Sequence, residues 1–148
     1  MATINTYLTF NGQCEEAFHF YKSVFGGEFV NISKFGEMPP QEGMPPLSDD
    51  LKNRVMHVSL PISNETVLMG SDTIPGMHDF VVGNNVSLSI NTQSREESEK
   101  LFNGLSADGN ITMPLADTFW GAYFGMWTDK FGINWMVNFD DPAKVQPH

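Results

Sequence analysis

Hydrophobic positions along the chain follow two rhythms, one near two residues and one near 3.6, and the pair of rhythms occurs twice. Residues 5–10 alternate side chains of different character and end at Asn11-Gly12, which predicts a half-buried first strand. From Cys14 the apolar positions become Cys14, Ala17, Phe18, Tyr21 and Phe25. These steps of three and four lay one stripe of an amphipathic helix against a sheet, and Gly26-Gly27 stops it. Residues 28–35 return to a period near two and predict a second strand. Two Pro-Pro pairs, Pro39-Pro40 and Pro45-Pro46, then fix φ and remove backbone donors, so neither helix nor central strand runs through residues 37–47. A loop of that length is a lid or subunit-contact arm, or else a plain surface excursion, and both readings stay open. Residues 53–62 and 65–71, divided by a turn at Ser63-Asn64, predict the third and fourth strands and complete a β-α-β-β-β order.

After a linker of Pro, Gly, His and Asp at residues 75–79 the pattern starts again. Residues 85–91 alternate, with Val86, Leu88 and Ile90 on one face and Ser87 and Ser89 on the other. Ser94 and Glu97 match a capping box, and Leu101, Phe102 and Leu105 supply the stripe of a second helix ending near Asp108-Gly109. Residues 110–115 predict one more strand before an aromatic hairpin over 117–139, whose Asp129 and Gly132 suit a tight turn. On parity, Asn134, Met136 and Asn138 share an open face while Trp135, Val137 and Phe139 turn to the core. With an offset of 80, Asn5 meets Asn85, Leu8 meets Leu88, Phe10 meets Ile90 and Gln13 meets Gln93, as in a duplicated module. The expected fold is a single α+β domain of two tandem β-α-β-β-β modules, about 3–74 and 84–140, joined by a linker at 75–83 and followed by a tail at 141–148. Each helix should cover the outer face of a cupped mixed sheet.

Charge narrows the partners. Eighteen acidic residues against 8 basic ones give a formal charge of −10, which repels phosphate backbones and anionic lipid surfaces, so neither nucleic acid nor membrane is expected. Cys14 is the one cysteine; no intrachain disulfide can form, and its place on the helix stripe reads as a small core residue. The first residues lack a basic segment followed by an apolar one, and no apolar run approaches the roughly 20 residues that span a bilayer. A soluble cytoplasmic protein is the expectation.

The Phe20-Tyr21 helix ending in Phe25-Gly26-Gly27, the Phe35-Gly36-Glu37-Met38 bend, the Phe119-Trp120-Gly121 run and the Asp129-Lys130-Phe131-Gly132 turn with Trp135 carry a resemblance. Set within paired modules, they resemble the PhnB-like branch of the glyoxalase, bleomycin-resistance and dioxygenase superfamily, the vicinal oxygen chelate proteins. The resemblance covers nearly the whole chain. It implies a duplicated fold that hosts many activities. In members that hold a metal it implies ligands at the first and last strands of each module, usually His, Gln or Glu. Here those places are Asn5 (or Thr6), Met69, Asn85 and Met136. Amide and thioether donors suit Zn²⁺ or Ni²⁺ poorly, so no metal and no cofactor are expected.

Other candidate chemistry is sparse. His57 lies mid-strand, either as a histidine satisfied inside the fold or as a catalytic group; Asp72, after Gly70-Ser71, is either a turn residue or the carboxylate that orients His57. His78 falls in the linker, His19 on the first helix and His148 at the chain end, and no Gly-x-Ser-x-Gly elbow occurs. Met56, Met69, Met113, Met126 and Met136 lie on predicted strands and line an adaptable cavity or simply fill the core. The expected ligand contacts are Tyr7, His57, Met69, Asp72, Ser87, Trp120, Tyr123 and Met136, with Trp135 structural. The resulting reading is a metal-free homodimer that binds a small molecule of undefined identity. Its alternatives are a metal-dependent glyoxalase-like lyase, isomerase or dioxygenase using His57 and Asp72, a dimer without ligand, and the ubiquinone-pathway methyltransferase label carried in this branch. For that label the chain offers no glycine-rich turn after the first strand of a parallel sheet.

Overall fold

A computed structural model describes residues 2–39, 43, 46–76 and 79–143. Its contacts divide the chain into two compact units, Met1–Val81 and Val82–His148. The first contains β1 (Thr6–Phe10), α1 (Cys14–Phe25), β2 (Asn31–Lys34), a 3-10 turn at Phe35–Glu37, α2 (Asp49–Lys52), β3 (Val55–Pro61) and β4 (Val67–Asp72). Its sheet runs β1-β4-β3-β2, with β1 parallel to β4 and the other pairings antiparallel.

The helix stripe buries as its spacing requires: Cys14, Ala17, Phe18 and Tyr21 are the buried residues of α1. They meet a core that includes Leu8, Phe10, Val58, Leu60 and Leu68. The Phe18 ring stands edge-on to Phe10 and Tyr21 at 6.3 and 5.6 Å between centroids. Gly70 of β4 is what lets α1 approach, since a Cβ there would lie 2.7 Å from both the Phe18 ring and the Leu8 carbonyl oxygen. Gly70→Ala is accordingly expected to cost about 2 kcal/mol through overpacking, read as a lower midpoint of urea unfolding.

The turn from β1 into α1 is tied down from a distance. Asp72, 4% exposed at the end of β4, accepts hydrogen bonds from the amides of Gly12 (2.8 Å) and Cys14 (3.0 Å) through Oδ1 and from Val55 (2.9 Å) through Oδ2. Cys14 is buried, and that burial, with Asp72 next, pushes its thiol far above the ordinary range. We expect Cys14 to resist Ellman's reagent at pH 8 in the native protein and to react on addition of urea; fast native labelling would contradict its burial.

Two features of this unit depart from the periodicity. The second strand shrinks to four residues because its register with β3 shifts between Ser33 and Lys34 and the chain turns into the 3-10 segment. In the proline-rich loop, Pro40, Gln41, Glu42, Met44 and Pro45 lie outside the described residues, as do Met77 and His78 of the linker and residues 144–148. Just after that loop Ser48 caps the short α2 by accepting from the Leu51 amide at 3.3 Å.

The second unit contains β5 (Leu88–Asn91), α3 (Arg95–Leu105), β6 (Asn110–Asp117), β7 (Ala122–Thr128) and β8 (Asn134–Asp140), in the order β5-β8-β7-β6. Again one pairing is parallel, β5 with β8, and two are antiparallel. Ser94 Oγ caps α3 by accepting from the Glu97 amide at 3.0 Å, while the Glu97 carboxylate reaches the Gln93 amide at 3.0 Å, one residue before the cap. Phe102 stands edge-on to Trp127 at 5.2 Å, and a Cβ at Gly125 would come within 2.8 Å of its ring, so the glycine again seats a helix phenyl on the sheet. Trp127 and Trp135 stack nearly parallel, 6.4 Å apart at 8°.

The Asp129 carboxylate closes the hairpin. It accepts from the amides of Phe131 (2.8 Å) and Ile133 (3.0 Å) through Oδ1 and from the Trp135 indole N–H (2.8 Å) through Oδ2. Pro114 falls on β6, which lies at the sheet edge and changes register twice against β7, a place where a missing amide donor is tolerated.

Candidate functional site

In each unit one sheet face packs against its helix and the other turns away from it. On the turned-away face of the first sheet Tyr7 pairs with Met69, Met69 with Ser59, and Ser59 with Asn31, so one row crosses all four strands. His57 stands two residues from Ser59 on the same face of β3. Its Nε2 lies 3.0 Å from Ser59 Oγ and its Nδ1 lies 3.4 Å from Tyr7 Oη, with the Tyr7 and His57 ring centroids 5.8 Å apart. Tyr7 is 49% exposed, so the far end of this chain meets solvent.

The turned-away face of the second sheet is greasier. Met126 pairs with Met136, Met136 with Ser89, and Phe124 with Asn138 and Ala116. These residues of β7 and β8 are half-buried, and α3 packs on the opposite face, where Phe102 meets Gly125 and Trp127. Trp120, 47% exposed in the turn before β7, leans edge-on against Phe124 at 6.2 Å and Phe119 at 5.0 Å, which puts it at the rim of the same face. Asn134 and Asn138 supply amides on this side, as parity required, while Trp135 and Val137 are buried on the other.

Of the expected contacts, Tyr7, His57 and Met69 come together in the first unit, and Met136 and Trp120 share a face in the second. Three expectations need correction. Asp72 does not orient His57: it sits on the core side of β4 with its oxygens taken by backbone amides, and the partners of His57 are Tyr7 and Ser59. Tyr123 shares the helix side with Trp127 because it pairs with Phe139 and Asp117, out of phase with Phe124 and Met126. There its hydroxyl donates to Glu99 at 3.0 Å, and the Arg95 guanidinium lies 3.9 Å over its ring while pairing with Asp117. Burial and then the Glu99 hydrogen bond raise the Tyr123 phenol above its ordinary pKa. Ser87 precedes β5 and is exposed, because regular pairing begins only at Leu88. Ser59, Phe124 and Met126 join the faces instead; the i, i+2 spacing of Ser59 from His57 was the available signal.

The places where superfamily metal sites recur do not suit a divalent ion here. Asn5 and Asn85 lie outside strands and are exposed, Thr6 at the start of β1 offers only a neutral hydroxyl, and Met69 and Met136 present thioethers. Among the described residues no three His, Cys, Asp or Glu side chains are grouped to hold a metal. Asp72 cannot complete a site with His57, since both of its oxygens point into the α1 turn and β3.

Two mixed four-stranded sheets, each with one helix packed on it, form the glyoxalase/bleomycin resistance-type α+β fold. A solved glyoxalase/bleomycin resistance protein/dioxygenase from Nocardioides shares it at 14% identity and a TM-score of 0.56, covering 100% of this chain and 90% of its own. Residues 2–138 match the family model described as 3-demethylubiquinone-9 3-methyltransferase, and the chain belongs to that PhnB-like family. It is 33% identical to Protein YjdN of Escherichia coli (strain K12) over 149 residues, 97% of each chain. The crystal structure of protein PA1353 from Pseudomonas aeruginosa is similar at 39% identity and a TM-score of 0.82, over 95% of this chain and 98% of that one. A putative 3-demethylubiquinone-9 3-methyltransferase, PhnB protein, from Bacillus cereus follows at 31% identity and a TM-score of 0.72, over 93% and 99%.

Proposed function

We propose that this chain is a metal-free small-molecule-binding protein that takes its ligand on a sheet face turned away from the helix of its own unit, α1 in the first or α3 in the second. The observation that supports it best is convergence: Tyr7, His57 and Met69 reach one face from three strands, and Phe124, Met126 and Met136 reach the other with Trp120 at its rim. Half-buried methionine and aromatic surface with a few amides and hydroxyls is what a small ligand needs for stacking and orientation. Metal analysis of the purified native protein, run beside mass spectrometry of co-purified small molecules, tests this. Substoichiometric metal with a retained ligand is expected; one nickel, zinc or iron ion per chain, held by strand residues, would overturn it.

The methyltransferase activity in the family description finds little support in these residues. In nucleotide-type folds the turn from the first strand into the first helix is open to a ligand. Here the carboxylate of Asp72 already accepts from the Gly12 and Cys14 amides in that turn. Each sheet is also mixed rather than parallel. We expect calorimetric titration with S-adenosylmethionine to show no micromolar binding, and a micromolar constant would restore that activity as the better reading. A homodimer accounts for the surface apolar groups Phe119 (95% exposed) and Val86 (71%), which light scattering on the intact chain checks.

A further inference from the structure

We infer that the Tyr7–His57–Ser59 chain is an anchor for a carboxylate-bearing ligand, a step that rests on the binding role proposed above. A neutral imidazole has one donor nitrogen and one acceptor. Flanked by two hydroxyls, it therefore engages one as donor and the other as acceptor, and a single hydroxyl proton is left to point outward. When the ring carries a second proton, both ring N–H groups donate. Both hydroxyls are then released to donate outward, beside a positive charge. A carboxylate has two acceptor oxygens and a negative charge to meet that arrangement.

The two contacts are unequal, and the inequality suits capture. The Ser59 contact at 3.0 Å is firm, whereas 3.4 Å from Tyr7 Oη to Nδ1 is long for a hydroxyl donor. Tyr7 is thus the arm that yields from His57 to an incoming oxygen at little cost, and it is the half-exposed member. The surrounding charge is permissive as well. Across β1, β2, β3 and β4 the one carboxylate is Asp72, which faces the core, in a chain with 18 acidic residues. An anion on this face meets no carboxylate from the strands that form it. Met69, paired with both Tyr7 and Ser59, gives the ligand's apolar body a surface beside the anchor.

The test uses the full-length chain labelled with ¹⁵N and with ¹³C in the methionine methyls, with sodium benzoate and the uncharged benzamide as probes. Benzoate is expected to bind about tenfold more tightly than benzamide and to move the His57 ring nitrogens to the pattern of the doubly protonated ring. Tyr7→Phe and Ser59→Ala, which keep the fold's volume nearly intact, should each weaken benzoate about fivefold and so narrow its advantage over benzamide. Equal affinities for the two probes, a His57 ring unmoved by benzoate, or full benzoate affinity in both variants overturns the inference. If benzoate moves the Met126 and Met136 methyls but not the His57 ring, the carboxylate anchor fails and the binding role stands. If neither probe perturbs either face, both fail.

Discussion

Asp72→Ala is expected to lower the free energy of unfolding by about 4 kcal/mol, seen as a large fall in the urea midpoint with little change in slope. The carboxylate accepts from three backbone amides, those of Gly12, Cys14 and Val55, and it sits 4% exposed. Removing it takes the acceptor from the buried Cys14 and Val55 amides, where water enters with difficulty, and from the more accessible Gly12 amide, and each buried unsatisfied donor costs about 1–3 kcal/mol before relaxation. The loss falls where the unit is assembled, because those amides belong to the turn into α1 and to the start of β3. Asp72→Asn should cost about half as much, since the amide keeps one acceptor oxygen but turns an NH₂ toward a backbone donor. Ligand affinity of folded Asp72→Asn should match that of the wild type. A variant that stays stable and loses binding would return Asp72 to the site.

Trp135→Ala and Trp120→Ala are expected to separate stability from binding. Trp135 is 2% exposed, stacks on Trp127 and donates its indole N–H to Asp129, so truncation should cost about 4 kcal/mol through the cavity and the released carboxylate. Trp120 is about half exposed and touches Phe119 and Phe124 by its edge, so its loss should cost less than about 1 kcal/mol of stability. An aromatic ligand on the Phe124, Met126 and Met136 face should nevertheless bind about tenfold more weakly without it. Urea unfolding and fluorescence titration of both variants make the comparison. Unchanged affinity in folded Trp120→Ala would remove that residue from the site.

Legibility in the sequence follows the range of the interactions concerned. The α1 stripe at Cys14, Ala17, Phe18 and Tyr21 and the opposed sets on β8 were readable because helix and strand periods act over a few residues. Tyr123 was misplaced for a related reason. Aromatics crowd both faces of β7, and composition alone does not say which parity faces α3; the pairings Tyr123–Phe139 and Phe124–Asn138 do. The role of Asp72 was out of reach because its partners lie 17 to 60 positions away along the chain.

From its own pattern, then, the chain specified two β-α-β-β-β modules, the buried helix stripes and the core side of the last strand, all consequences of local periodicity and turn chemistry. Which polar groups meet was decided only by strand order and register. Placing β4 between β1 and β3 sets Tyr7 beside Met69 and brings it to His57, and it turns Asp72 inward onto backbone amides, because a strand's neighbours and a residue's face are properties of the assembled sheet.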